Sequence, residues 1–199
     1  MLDKTIPYHD LIMHRRAGTP LPAAIWPDGY SLVGFAAGDE HAWAEIESAV
    51  LEFDSQAEAL TYFGKEYLPF LPELQRRTFF VQAPDGRKVG TVTIWWEYSG
   101  KRRVAALHWV GIHPDCQGLG LGKAMVNQAM QEFLDIEGDE DLYLHTQTWS
   151  YRAIGIYLQA GFRLLPSGTY AHHINQYEQA LPILQRKLTA GSLAGLDPR

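Results

Sequence analysis

The chain has 199 residues, enough for one well-packed domain and short for two. With 46% apolar residues a core can form, and a formal charge of −6 offers no field to attract nucleic acid or anionic lipid. The single cysteine, Cys116, excludes an intrachain disulfide and a cysteine-built zinc cluster, which fits a reducing, cytoplasmic setting.

Residues 1–30 read as an irregular N-terminal extension, broken by Pro7, Pro20, Pro22 and Pro27, with a short strand at Tyr8 to Arg15. Charged residues such as Asp3, Lys4, Asp10, Arg15 and Arg16 leave no apolar stretch of signal-peptide length there. A strand follows at Ser31 to Ala36. Trp43, Ile46 and Val50 then recur at helical spacing over His41 to Leu51. A second helix is expected from Ser55 to Leu68, stopped by Pro69 and Pro72. The Pro84-Asp85-Gly86 turn joins strands at Arg77 to Gln82 and Lys88 to Tyr98, and a third strand runs from Arg103 to Ile112. The most apolar run, Val104 to Ile112, is nine residues long and includes His108. A bilayer span needs ~20, so no membrane segment is expected.

An amphipathic helix, Lys123 to Ile136, carries Ala124, Val126, Ala129, Met130, Phe133 and Leu134 on its apolar positions. After it come a strand at Leu142 to Thr148, a helix at Tyr151 to Gln159 and a short strand at Phe162 to Leu165. Tyr177 to Lys187 is weakly helical, with Pro182 as a candidate start, and residues 189–199 read as a flexible tail. A meander followed by β-α-β predicts a single α/β (α+β) domain over residues 31–188. Its central sheet would be mixed and mostly antiparallel, with helices on both faces.

The segment between the strongest strand and the strongest helix is the most informative. In His113-Pro-Asp-Cys-Gln117-Gly118-Leu119-Gly120-Leu121-Gly122-Lys123, glycines let backbone approach a ligand. The amides of the following helix start then favour an anion such as a diphosphate. A P-loop needs four residues between its first glycine and the Gly-Lys pair, then a hydroxyl. Gly118 and Gly122 enclose three, and Ala124 follows Lys123. The dinucleotide pattern Gly-x-Gly-x-x-Gly fails on spacing as well.

Gln117-x-x-Gly120-x-Gly122 resembles the cofactor motif of the GCN5-related N-acetyltransferase (GNAT) superfamily. Ser150-Tyr-Arg-Ala153-Ile-Gly-Ile-Tyr157-Leu-Gln-Ala-Gly161-Phe162 is similar to its second hallmark, with Ser150 where Asn is usual. The strand order matches too, so the resemblance covers roughly Ser31 to Leu165. Leu144 to Tyr151 and Trp43 to Glu47 further resemble a bacterial group of unassigned acceptor.

The resemblance implies acetyl-CoA as cosubstrate and a splay between the strands ending near Ile112 and starting near Leu142. In that gap the pantetheine arm would pair with backbone at Val110, Gly111 and Ile112. The diphosphate would sit on the amides of Gly118, Leu119, Gly120, Leu121, Gly122 and Lys123, with Gln117 and Ser150 beside the cofactor. Tyr157 would protonate the departing sulfur; a phenol of pKa ~10 suits a thiolate of similar basicity. Ser150 is also a good N-cap for the helix starting at Tyr151. The Ile112 N–H is a candidate oxyanion donor.

Three candidates for the general base stay open: His108, Glu97 and water. His108 lies four residues before Ile112 on the same strand, so both side chains are expected to face the same side of the sheet. His145 is a candidate for the acceptor pocket, His113 reads as a surface residue, and Cys116 lacks an evident base. No His, Asp and Glu set has metal-ligand spacing, so no metal is expected. Trp95, Trp96, Trp109, Trp149 and Tyr151 suit core packing better than an aromatic box.

The resulting expectation is acetyl transfer from acetyl-CoA to a small-molecule primary amine by direct attack in a ternary complex. Nucleic acid and membranes are not expected partners, and a homodimer stays open. The alternatives are acetylation of a protein N-terminus or lysine, and acyl-CoA binding without turnover.

Overall fold

A computed structural model describes residues 2–188 of the chain. The tail expected at 189–199 lies outside the described residues. In chain order the elements are β1 Asp10–Arg15, β2 Ser31–Gly34, α1 Glu40–Ala49, α2 Gln56–Glu66 and α3 Leu71–Arg77. They continue with β3 Thr78–Gln82, β4 Lys88–Ser99, β5 Arg102–Ile112, α4 Leu121–Glu137 and β6 Leu142–Gln147. The last are α5 Tyr151–Gln159, β7 Arg163–Leu164 and α6 Tyr177–Lys187. The strands form one mixed, mostly antiparallel sheet in the order β2-β3-β4-β5-β6-β1-β7. Among the described residues no helix is long and apolar enough to cross a membrane.

The chain is gathered into two compact units. The first holds Leu2, Ala23–Ile94 and Trp109–Ala129. In it β3 pairs antiparallel with β2 and β4, with Leu32 opposite Val81 and Phe79 opposite Val92. Trp43, Phe63, Leu74, Phe80, Val92 and Ile94 are its buried core. Ser55 caps α2 by accepting a 3.2 Å hydrogen bond from the Glu58 amide. Pro72, expected to stop a helix, opens α3 instead, where its missing N–H costs nothing because first-turn amides have no intrahelical partner.

The second unit holds Asp3–Pro22, Trp95–His108 and the described residues from Met130 onward. Here β1 is an interior strand, antiparallel to β6 on one side and to β7 on the other. Leu11, Ile12 and Met13 are fully buried. The strand expected at Tyr8 to Arg15 is therefore present, and residues 1–30 are not irregular throughout. Burial on both faces explains why three successive apolar residues, rather than an alternation, mark it.

The parallel register of β5 and β6 is short, Ala105 opposite Leu142 and Ala106 opposite Tyr143. Beyond it β5 continues to Ile112. Pro182 lies inside α6 and does not begin it.

Candidate active site

The glycine segment belongs to the first unit. After β5, His113 caps a 3-10 turn, Pro114–Cys116, accepting at Nδ1 from the Asp115 amide at 3.4 Å. Gln117 then turns back so that its Nε2 donates to the Ile112 carbonyl at 2.8 Å. Gly118 (φ +83°) and Gly120 (φ +84°) both take left-handed backbone, which costs an L-residue roughly 1–2 kcal/mol. A Cβ at either would point into open space, so both present bare backbone outward.

The first α4 bond runs from the Ala124 amide to the Gly120 carbonyl (3.1 Å), and the amides ahead of it have no intrahelical acceptor. Leu121 is buried, which pins the helix start, whereas Leu119 and Lys123 are exposed. Together these are the donors and open approach that a diphosphate requires. Cys116 is buried behind the turn.

The end of β5 supplies the other backbone groups. His113 N–H donates to Val89 of β4 at 2.8 Å. Successive amides of a strand point to opposite edges, so the Ile112 N–H faces away from β4. At Gly111 a Cβ would lie 2.8 Å from Glu47 Oε1 and 3.2 Å from Ile46 Cγ2, so α1 packs directly on the strand backbone. Val110 and Ile112 are half-buried.

Trp109 has φ +52°, a strained value for a bulky residue in mid-strand. The value departs from regular strand backbone between His108 and Ile112. The Trp109 ring joins Trp43 (5.3 Å), Phe53 (5.3 Å) and Tyr62 (5.2 Å), and its Nε1 donates to Tyr67 Oη at 2.7 Å. Trp95 stacks on Trp96 at 4.2 Å, and Trp149 meets Tyr8 edge-on at 4.9 Å.

In the second unit, Ser150 sits at the N-cap position of α5, but its side chain makes no capping hydrogen bond. Tyr157 is buried on α5, edge-to-face with Phe162 at 6.0 Å.

The same unit brings Glu97 and His108 together. Glu97 Oε1 lies 3.0 Å from His108 Nε2. Both Glu97 oxygens also meet His173 Nε2, at 2.8 and 2.9 Å. Burial works to raise the Glu97 carboxyl, but hydrogen bonds from the two imidazoles, and their attraction for it whenever they are protonated, hold it well below the usual carboxylate range. An ionised carboxylate only accepts, so both histidines donate through Nε2.

His173 stacks on His145 (4.3 Å, 12°), whose Nε2 lies 2.9 Å from Asp10 Oδ1. Burial first, then His173, lowers the His145 pKa, with Asp10 opposing. Asp10 in turn accepts from Tyr8 Oη at 2.7 Å. From the sequence His108, Glu97 and His145 are separate candidates, and Asp10, His172 and His173 carry no role. The adjacent pair His172-His173 in an irregular polar stretch was the available signal.

The model of the acetyltransferase (GNAT) family matches residues 43–162, more than half of the chain. A mycothiol acetyltransferase of Streptomyces coelicolor is 27% identical over 146 residues, covering 73% of this chain and 46% of that protein. Another protein of that name, from Paenarthrobacter aurescens, is 28% identical over 149 residues, covering 71% and 45%. The chain thus spans about half the length of the curated relatives it matches. Among solved structures, a GCN5-related N-acetyltransferase from Sphaerobacter thermophilus aligns with a TM-score of 0.58 at 20% identity, covering 78% of this chain and 48% of that one. One from Kribbella flavida aligns at 0.51 and 17%, covering 81% and 61%. At these identities the structures speak for the fold.

Proposed function

Because this chain belongs to the acetyltransferase (GNAT) family, we propose that it transfers an acetyl group from acetyl-CoA to a primary amine of a small molecule, by direct attack in a ternary complex. The observation that carries this reading is the pair of left-handed, outward-open glycines, Gly118 and Gly120, at the head of α4. They suit a diphosphate because no Cβ shields the amides. Relatives named for mycothiol acetylation favour a small acceptor over a protein. The lone cysteine is in keeping with the cytoplasm, which we propose as its setting.

Acetyl-CoA supplies the activated acyl group. The amides of Gly118, Leu119, Gly120, Leu121, Gly122 and Lys123 hold its diphosphate, with Gln117 bracing the turn through the Ile112 carbonyl. Backbone at Val110, Gly111 and Ile112 pairs with the pantetheine arm, and the Ile112 N–H, facing away from β4, donates to the developing oxyanion. The acceptor arrives as an ammonium and must lose a proton to become nucleophilic. The hydrogen-bonded Glu97–His108 pair takes it up, the ionised carboxylate stabilising the imidazolium that forms. Tyr157 Oη gives its own proton to the departing thiolate, and the second N–H proton shed by the acylated nitrogen restores the phenol. Ser150, whose side chain leaves the α5 amides uncapped, stays near the cofactor as the second hallmark places it.

Purified protein mixed with acetyl-CoA and a panel of small amines is expected to release free coenzyme A thiol with at least one of them. Tyr157→Phe is expected to lower kcat by about 10²-fold or more while acetyl-CoA affinity stays as in the parent. No thiol release with any amine, together with no affinity for acetyl-CoA, removes the reading.

A further inference from the structure

We propose that Glu97, His172 and His173 form a binding site for a borderline divalent transition cation, with Zn²⁺ as the natural occupant. One ligand atom from each lies within 4.8 Å of the other two. Ligands at the usual ~2.0–2.2 Å from zinc stand about 3.4 Å apart in a tetrahedron, so shifts of about 1 Å close the site. Two imidazoles and a carboxylate are the donor set of zinc, copper, nickel and iron(II) centres. Magnesium and calcium demand mostly oxygen and are not suited.

The backbone explains how neighbouring residues reach one centre. In an extended chain His172 and His173 would point to opposite sides. Ala171, just before them, adopts φ +49°, a strained value for a residue with a Cβ. The turn it makes leaves the two imidazoles on one side, centroids 4.5 Å apart. The turn is held by the His173 amide donating to Tyr170 O at 3.2 Å, and by Thr169 Oγ1 donating to His173 O.

The outer contacts are those a metal ligand needs. His108 fixes the Glu97 carboxylate through Oε1, and His145, tied to Asp10, backs the His173 ring. His172 is exposed, which gives an ion a way in, while Glu97 and His173 are only about one-seventh exposed at their side chains. An ion bound here neutralises the Glu97 carboxylate that backs His108 and so weakens the pair as a base. It therefore inhibits acetyl transfer, a consequence that rests on the function proposed above.

The test is a Zn²⁺ titration of the intact chain without acetyl-CoA, followed by calorimetry or competition with a chromogenic chelator. One equivalent is expected to bind, Mg²⁺ is expected not to compete, and Co²⁺ in its place is expected to give visible d–d bands. His172→Ala, at an exposed position, and His173→Ala are each expected to weaken Zn²⁺ binding by about tenfold or more. Circular dichroism of both variants establishes that they are folded. Absence of stoichiometric binding, or parental affinity in folded His172→Ala and His173→Ala, overturns the site. Zinc binding by a protein that, before zinc is added, neither binds acetyl-CoA nor acetylates any amine would uphold the site and sink the acyltransferase reading. Turnover without zinc binding does the reverse.

Discussion

Glu47 and Glu97 are both withdrawn from water, yet their surroundings push them in opposite directions. Glu47 is 1% exposed on α1, and its Oε1 has no hydrogen-bond partner among the described residues. Burial, reinforced by the nearby charge of Glu52, raises its pKa well above the ordinary 4.5. A raised carboxyl contributes stability that is complete below its unfolded pKa and is lost as pH climbs through its folded value. Glu47→Gln has no charge to bury, so its Tm relative to the parent is expected to improve steadily as pH increases from about 4.5. Scanning calorimetry at several pH values checks this, and a pH-independent difference would refute the buried-acid account.

Glu97, by contrast, keeps its charge because two imidazoles donate to it. If it works as a unit with His108, Glu97→Gln and His108→Ala are each expected to lower kcat by about 10²–10⁴-fold. The double variant is then expected to be little worse than either single one. Fully additive losses in kcat would mean that the two residues act separately.

At the scale of elements, the turn from β5 into α4 carries two left-handed glycines of the first unit. Gly118 and Gly120 need left-handed conformations, and the helix head supplies amides without intrahelical acceptors. Gly120→Ala is expected to cost roughly 1–2 kcal/mol through strain alone, since nothing lies within 4 Å of the added Cβ. It is also expected to weaken acetyl-CoA by about tenfold or more if the loop amides hold the diphosphate as proposed, because the methyl group shields them. Thermal unfolding separates the first effect from the second, which is read by titrating the ligand. Parental acetyl-CoA affinity in a destabilised Gly120→Ala would show that the loop is only a turn. Within β5, the left-handed Trp109 packs on Trp43, Phe53 and Tyr62, so strain there is offset by aromatic burial.

For the molecule as a whole, the least expected feature is the use of the N-terminal segment. β1 lies between β6 and β7, and Leu11, Ile12 and Met13 are fully buried. Burial of three such side chains is worth about 1.5–3 kcal/mol each, comparable in total to the net stability of an ordinary domain. Arg15 at the strand end is also buried, its Nε donating to the Ala160 carbonyl at 3.1 Å. A chain lacking residues 1–16 is therefore expected to be insoluble or to lose cooperative unfolding in the second unit. Soluble, cooperatively melting truncated protein would show that β1 is dispensable.

What could be read directly from the sequence was whatever is written within a few neighbouring residues. Helical spacing located α4, which begins at Leu121 rather than Lys123, and the turn at Pro84-Asp85-Gly86 located the β3–β4 hairpin. The spacing of Gln117, Gly120 and Gly122 identified a glycine loop, in which Gly118 and Gly120 take the left-handed backbone that a Cβ would penalise. Tertiary structure decided the rest, because it depends on which faces are buried together. The partnership of Glu97 with His173 joins residues 76 apart, and no local pattern encodes such a meeting. The placing of β1 inside the sheet and the left-handed backbone of Trp109 are likewise imposed by packing, which overrides both the prolines around the one and the regular strand conformation of the other.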